Sequence, residues 1–362
     1  MNQRDRFRAI MDYRPYDRLP VYYFGYWEET LERWKREGLA SPADIAESTG
    51  MDPDWEAGMW DAHGLVEINP LSPERSTILE ETDDYRVVRT GLGSVVKEGK
   101  RGSSIPLHIE EALKPTRESW TRFKRFLAAD DPARRAAGWE AAAEALNRRE
   151  RVACFLAGSL YGWPRSWLGT EGISFVPYDA PALFEEIIEY MAEYFMALYR
   201  PVLARVQFDF AYFFEDCCFN TGPLFSPAVY RRFYDKYYRR MIEFYHKAGV
   251  KFVLIDSDGK VDDLLPCWLE SGFDIIFPIE VGTWKADPVN LRLQYGKSLR
   301  MLGGVNKLVI PRGETAIRAE LEPLRPLVEE GGFIPIPDHR IPPDVSLDDF
   351  RSYVRVFKEV FG

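Results

Sequence analysis

Cysteine and histidine are scarce in this chain, four of each in 362 residues. Cys154, Cys217, Cys218 and Cys267 form no CxxC pair, and so few thiols over this length do not make a disulfide framework. Reduced thiols fit a cytosolic setting. No apolar run approaches the ~20 residues needed to cross a bilayer, and the start, Met1-Asn2-Gln3-Arg4-Asp5-Arg6, is charged. The expected location is the cytoplasm, with no membrane partner. Blocks of Lys and Arg are missing too, and the net charge of −10 argues against a nucleic-acid partner, because phosphate binding relies on a concentrated basic face. The chain also lacks a Gly-rich phosphate loop, a nucleophile elbow and an HExxH motif. These absences leave small molecules or another protein as partners.

What is present is a 46% hydrophobic content, enough for a sizeable core, with no repeat, low-complexity stretch or linker. Residues 1–362 therefore read as a single domain. From about residue 152 onward, short apolar segments alternate with helical ones: strands at 152–157, 208–214, 251–255, 274–279, 299–302 and 332–336, and helices at 182–206, 227–247, 261–271, 314–330 and 347–360. Such alternation predicts parallel strands joined by right-handed crossovers. A further strand is expected at 20–24, after a short helix at 4–10. Helices follow at 27–37, 42–49, 118–128 and 132–148. Residues 64–100 alternate apolar and polar, with breaks at Asp83-Asp84 and Gly91-Leu92-Gly93, and read as inserted antiparallel hairpins. The fold expectation is an α/β (β/α)8 TIM barrel, distorted, with hairpins in its N-terminal third. Seven of its strands can be placed.

Four of the apolar runs are followed by acidic or imidazole groups: Glu215-Asp216, Asp256-Ser257-Asp258-Gly259, Glu280, and Asp338-His339. In a parallel barrel the carboxyl ends of strands converge on one mouth, so these groups could meet around a cation or substrate. Each has a plainer explanation. Asp256 or Asp258 could cap the following helix, and Glu280 could pair with Lys285 or Arg300. His339, between Asp338 and Arg340, is the best single candidate, since a carboxylate beside an imidazole can fix its tautomer. His246 lies where histidine commonly caps a helix end. Cys217-Cys218 could offer a soft ligand at the same mouth, although packing is the plainer role. Asp61-Ala62-His63 begins like a corrinoid-ligating D-x-H-x-x-G motif, but Val66 replaces its glycine.

Aromatic residues crowd the same end: Tyr22, Tyr23, Phe24, Tyr26 and Trp27 after the first strand, and Tyr161, Trp163 and Trp167 after the second. They could wall a flat or apolar substrate, with Arg165 meeting an anionic substituent or forming an ordinary salt bridge.

Several segments give the chain a name to be compared with. Arg4-Asp5-Arg6-Phe7-Arg8-Ala9 with Asp17-Arg18-Leu19-Pro20-Val21, Thr221-Gly222-Pro223-Leu224-Phe225-Ser226-Pro227, Gly303-Gly304-Val305-Asn306-Lys307, and 331–335 through Asp338-His339-Arg340-Ile341-Pro342-Pro343-Asp344-Val345 resemble the uroporphyrinogen decarboxylase superfamily along nearly the whole chain. The resemblance implies a distorted (β/α)8 barrel. It also implies either a cofactor-free decarboxylase of tetrapyrroles or a zinc-dependent methyltransferase that works with a corrinoid protein. The decarboxylases carry an arginine-rich R-Q-A-G-R-Y segment after the first strand, and Tyr23-Phe24-Gly25-Tyr26-Trp27-Glu28-Glu29 stands there instead. The methyltransferases hold zinc through an H-x-C pair and a later cysteine. Here Asp256-Ser257-Asp258 and His339 stand at those places, so oxygen and imidazole replace the thiolates.

The function expected on this resemblance is a demethylase component. It would move a methyl group from an O- or N-methyl substrate to the corrinoid of a separate partner protein, with tetrahydrofolate left open as an alternative acceptor. Zinc would be held by Asp258, Glu280 and His339. Glu215, Asp256 and His339 would serve catalysis, and Tyr22, Tyr26, Trp27, Tyr161, Trp163 and Arg165 would bind the substrate. The Tyr- and Phe-rich face of the 230–245 segment leaves room for a homodimer.

Overall fold

A computed structural model describes residues 1–53, 62, 64–100 and 106–362, so His63 of the D-x-H sequence lies outside the described residues. Thr77–Glu81 (β1), Tyr85–Arg89 (β2), Val95–Gly99 (β3) and Leu107–Glu110 (β4) form an antiparallel meander in that order. This is the expected insert, beginning later than residue 64 and gaining beyond residue 100 a fourth strand, Leu107–Glu110, that was not anticipated. Its first turn is closed by the Thr82 hydroxyl, which accepts from the amides of Asp84 and Tyr85. Its second turn uses Gly93 at φ +95°, a conformation that favours glycine.

Six parallel strands make the main sheet: Cys154–Gly158 (β5), Phe210–Phe214 (β6), Phe252–Asp256 (β7), Ile275–Ile279 (β8), Arg300–Val305 (β9) and Phe333–Pro337 (β10), in the spatial order β5-β6-β7-β8-β9-β10. Their apolar runs are buried almost throughout, as expected of parallel strands covered on both faces. Helices Pro181–Leu203, Asp235–Lys247 and Leu347–Phe361 turn apolar stripes inward. The Tyr230, Phe233, Tyr234, Tyr237, Tyr238 and Tyr245 side chains are buried within this chain, so the face that suggested a dimer is already covered.

Two expectations need correction. The closed eight-stranded barrel is not shown: among the described residues the parallel ladder has six strands, and no ladder joins β10 to β5. The 20–24 segment is buried but lies outside the ladder, because its polar backbone is satisfied differently. Asp52 accepts from the Val21 amide at 2.9 Å and pairs with Arg18 at 2.6 Å, while its own amide donates to the Val21 carbonyl. Among the described residues a single parallel bridge, Tyr26 to Ile341, places this segment beyond β10. Helices Gly162–Asp179 and Pro288–Tyr295 were also not anticipated. The first bends at Gly169, whose φ of +72° interrupts it, and its glycines and prolines mask the helical period. Among the described residues no helix is long and apolar enough to cross a membrane.

Candidate metal centre

The register of the sheet places the ends of β6, β7 and β8 side by side, since Phe214 and Phe277 both pair with Asp256. Past these ends the chain bends inward. The Ser257 amide donates to the Phe277 carbonyl and carries the chain from β7 to Asp258. Gly259 follows at φ +85°, where a Cβ would come within 2.8 Å of the Phe219 backbone. A glycine is required there, and its amide donates to Glu280 Oε2 at 2.6 Å. Glu280 itself is the first residue after β8, and Thr283 donates its hydroxyl to the other carboxylate oxygen at 3.2 Å.

After β10, Asp338 is buried and accepts from the amides of Gly282 and Lys307 at 2.7 and 3.1 Å. It therefore ties together the loops that follow β8, β9 and β10, and the next residue, His339, is carried inward. The imidazole meets Asp258 rather than Asp338: His339 Nε2 lies 3.2 Å from Asp258 Oδ2. Asp338 thus positions the loop, and Asp258 is the carboxylate that orients the ring. Phe24 lies edge-on to this ring and Trp27 stacks on it.

Asp258, Glu280 and His339 each present one ligand atom, and these atoms all lie within 4.8 Å of one another. Among the described residues, Asp258 Oδ1 and His339 Nδ1 are buried and have no hydrogen-bond partner. Glu280 is 4% exposed, and its pKa is raised, first by burial and then by the neighbouring Asp258 carboxylate; the Gly259 amide and His339 act against the rise. Two carboxylates crowded together beside an imidazole are what a divalent cation would relieve. The donor set of two carboxylates and one imidazole suits zinc and leaves coordination open for a substrate atom. Neither pairing considered for Glu280 occurs: Lys285 bonds the Gly282 carbonyl, and Arg300 lies against Met11 and Asp274. Nor do Asp256 or Asp258 cap the next helix, whose start at Leu265 has no side-chain cap.

The other expected site residues are placed elsewhere. Asp256 is buried, and the Tyr212 hydroxyl donates to its carboxylate. Glu215 is 1% exposed and accepts from the amides of Leu160, Tyr161 and Gly162 at 2.7–3.1 Å, so its carboxylate anchors the start of the Gly162–Asp179 helix. Its pKa is raised by burial, against the pull of the Tyr238 hydroxyl and these amides. Arg165 forms the ordinary salt bridge, donating to the Asp216 carboxylate and carbonyl, each at 2.6 Å. Tyr22 and Tyr161 are buried, and Trp163 packs on Trp167 and Phe195. Tyr26 and Trp27 remain partly accessible near His339. Cys217 is buried against Ser257, with its thiol pKa pushed well up by burial, which fits packing rather than ligation. His246 bonds the Val250 carbonyl at 2.9 Å, in the loop just past the helix rather than on its last turn. Tyr212, Thr283 and the Gly259 amide were not anticipated. Thr283, three residues after Glu280 in a polar loop, is the one a turn-based reading could have found.

The fold is shared with a methyltransferase from Methanosarcina mazei. That structure superposes with a TM-score of 0.62 over 99% of this chain and 99% of its own, at 14% identity, a likeness of fold alone. A B12-independent methionine synthase from Shewanella sp. W3-18-1, solved with selenomethionine, matches with a TM-score of 0.44 at 13% identity, covering 94% of this chain and 96% of its own. No family model matches the chain, and no curated protein matches it in sequence.

Proposed function

We propose that this chain is a metal-dependent methyltransferase that takes a methyl group from an O- or N-methyl substrate and passes it to the corrinoid of a partner protein. The observation that carries the reading is the convergence of Asp258, Glu280 and His339 from three strand ends, with one candidate ligand atom from each lying within 4.8 Å of the others. The methyltransferase named for the Methanosarcina structure lends support as a neighbour in fold. The closed (β/α)8 barrel implied by the resemblance belongs to this proposal too, with the buried 20–24 segment completing the wall beside β10.

Zinc bound here would act as a Lewis acid, lowering the basicity of the oxygen or nitrogen that the methyl group leaves. The chain's own residues set the conditions. Gly259 and Thr283 hold Glu280 with one oxygen each, and Asp258 holds the imidazole, so the three ligands are oriented before anything binds. Tyr26 and Trp27 are the aromatics left near the mouth to seat the methyl donor. Asp256 and Glu215 serve from behind, through Tyr212 and the helix start.

Elemental analysis of tag-free protein beside the His339→Ala variant tests the first half of the reading. Near-stoichiometric zinc in the first and none in the second is expected. Methyl transfer to an added corrinoid protein from a panel of methoxylated aromatics tests the second half. No metal after reconstitution, together with silence across broad donor panels, overturns the proposal. Decarboxylation of a tetrapyrrole that survives chelation would favour a cofactor-free decarboxylase instead.

A further inference from the structure

One residue outside the ligand set, partly accessible itself, lays its ring on the face of a candidate ligand. Trp27 stacks on the His339 ring with centroids 5.8 Å apart and planes at 27°, and the Arg340 guanidinium lies 5.5 Å from the Trp27 ring. The Phe24 ring meets His339 at 5.2 Å in an edge-on arrangement and also contacts Phe277 at 4.5 Å. The imidazole is thus bounded on one side by an indole and on another by a phenyl ring, while Asp258 takes its Nε2 edge.

The backbone carrying Trp27 is fixed independently of its side chain. Its amide donates to the Ile341 carbonyl at 3.3 Å, the Ile341 amide donates to Gly25 at 3.0 Å, and the Thr30 hydroxyl donates to the same Ile341 carbonyl at 2.7 Å. Ile341 is two residues beyond His339, so the segment outside the ladder is clamped to the loop that carries the histidine. Helix Glu28–Arg36 starts immediately after Trp27, and the Trp27 carbonyl accepts from the amides of Thr30 and Leu31. Truncating the indole would leave this clamp in place.

We infer that Trp27 is a positioning residue for the metal centre: its ring holds the His339 imidazole in the orientation that keeps a ligand nitrogen directed at Asp258 and Glu280. An imidazole on a loop has a broad, roughly two-fold χ2 well, and a hydrogen bond to one edge leaves rotation about that bond unopposed. A stacked ring on its face removes that freedom at no cost in polar groups. The inference rests on the metal reading of the site, and its test separates the two.

The experiment is a cobalt(II) titration of the full chain, followed by visible absorption and by competition with a chelator of known affinity. Outer residues that orient a ligand typically contribute about 10–100-fold in metal affinity. Trp27→Leu, which keeps apolar bulk but no ring, should weaken cobalt by about that factor and alter the ligand-field bands, while Trp27→Phe should restore both. A merely structural role would not separate the Leu and Phe variants in this way. If Trp27→Leu binds cobalt as the parent does while His339→Ala does not, the positioning role is overturned and the metal centre stands. If the parent chain binds no cobalt, both fall together. Should Trp27→Leu lose its cooperative thermal transition, Trp27→Met takes its place as the ring-less variant: weaker cobalt than Trp27→Phe supports the role, and equal affinity in the Met and Phe proteins overturns it.

Discussion

Glu280 is placed to make the protein less stable without a cation and more stable with one, and Glu280→Gln should expose both effects. In the free protein the buried carboxylate sits against Asp258, and its pKa is raised above the ordinary glutamate value. Below the unfolded pKa, near 4.5, the group is protonated in both states and contributes no penalty. As pH rises through the folded pKa, the unfolded state loses its proton more readily, and stability falls. The glutamine variant carries no such charge and can still accept from the Gly259 amide, so it should match wild type in acid and exceed it at neutral pH. A divalent ion reverses the order. At a hundredfold excess over Kd a bound ligand stabilises wild type by about 2.7 kcal/mol. With roughly 2.1 cal/mol/K of unfolding entropy per residue and 362 residues, that is a rise of about 3.5 °C in Tm. Differential scanning calorimetry at pH 4, 6 and 8, with and without zinc, measures all of this. A metal-dependent shift retained by Glu280→Gln would refute the ligand role. A variant less stable than metal-free wild type at pH 8 would refute the claim that this carboxylate is an uncompensated charge.

Other substitutions test the frame that delivers the ligands. Glu215→Ala strips the acceptor from three buried amides, so a loss of about 3–5 kcal/mol in urea unfolding is expected; a change under about 1 kcal/mol would mean that the helix start finds other partners. Gly303→Ala puts a Cβ 2.5 Å from the Ile279 amide nitrogen at a φ of +117°. It should cost about 1–3 kcal/mol and, because Ile279 precedes Glu280, weaken metal binding as well. Zinc affinity unchanged in a destabilised Gly303→Ala protein would uncouple β9 from the site.

How much of this was legible in the sequence depends on whether a residue announces its role locally. The strands of the parallel sheet could be read because each is a short apolar run bounded by helix or loop, and the antiparallel insert because its alternation and turns are both local signals. The three candidate ligands were legible as polar groups just past apolar runs, a pattern that parallel topology turns into a place. The 20–24 segment was harder to read: Pro20-Val21-Tyr22-Tyr23-Phe24 has strand composition, while the Val21 amide and carbonyl both bond Asp52, 31 residues away. Glu215 likewise depends on donors distant in sequence. Its position past a strand matches that of Glu280, and what separates them is which donors the fold brings near: three amides of a helix start for Glu215, but for Glu280 one amide, one hydroxyl and a second carboxylate.

That contrast also orders the candidate residues by chemistry. A buried carboxylate surrounded by amide donors is already compensated and has little to gain from a cation. One that shares its space with another carboxylate and an imidazole gains more from a cation than from any rearrangement of its neighbours. Asp256 has the Tyr212 hydroxyl, Asp338 has two amides and Asp216 has Arg165. Of the acidic groups at the ends of β6, β7, β8 and β10, Asp258 and Glu280 are the two left crowded together, and His339 is the imidazole that reaches them. The metal-binding reading therefore follows from where the compensating donors run out, and not from the mere abundance of acid at one end of the sheet.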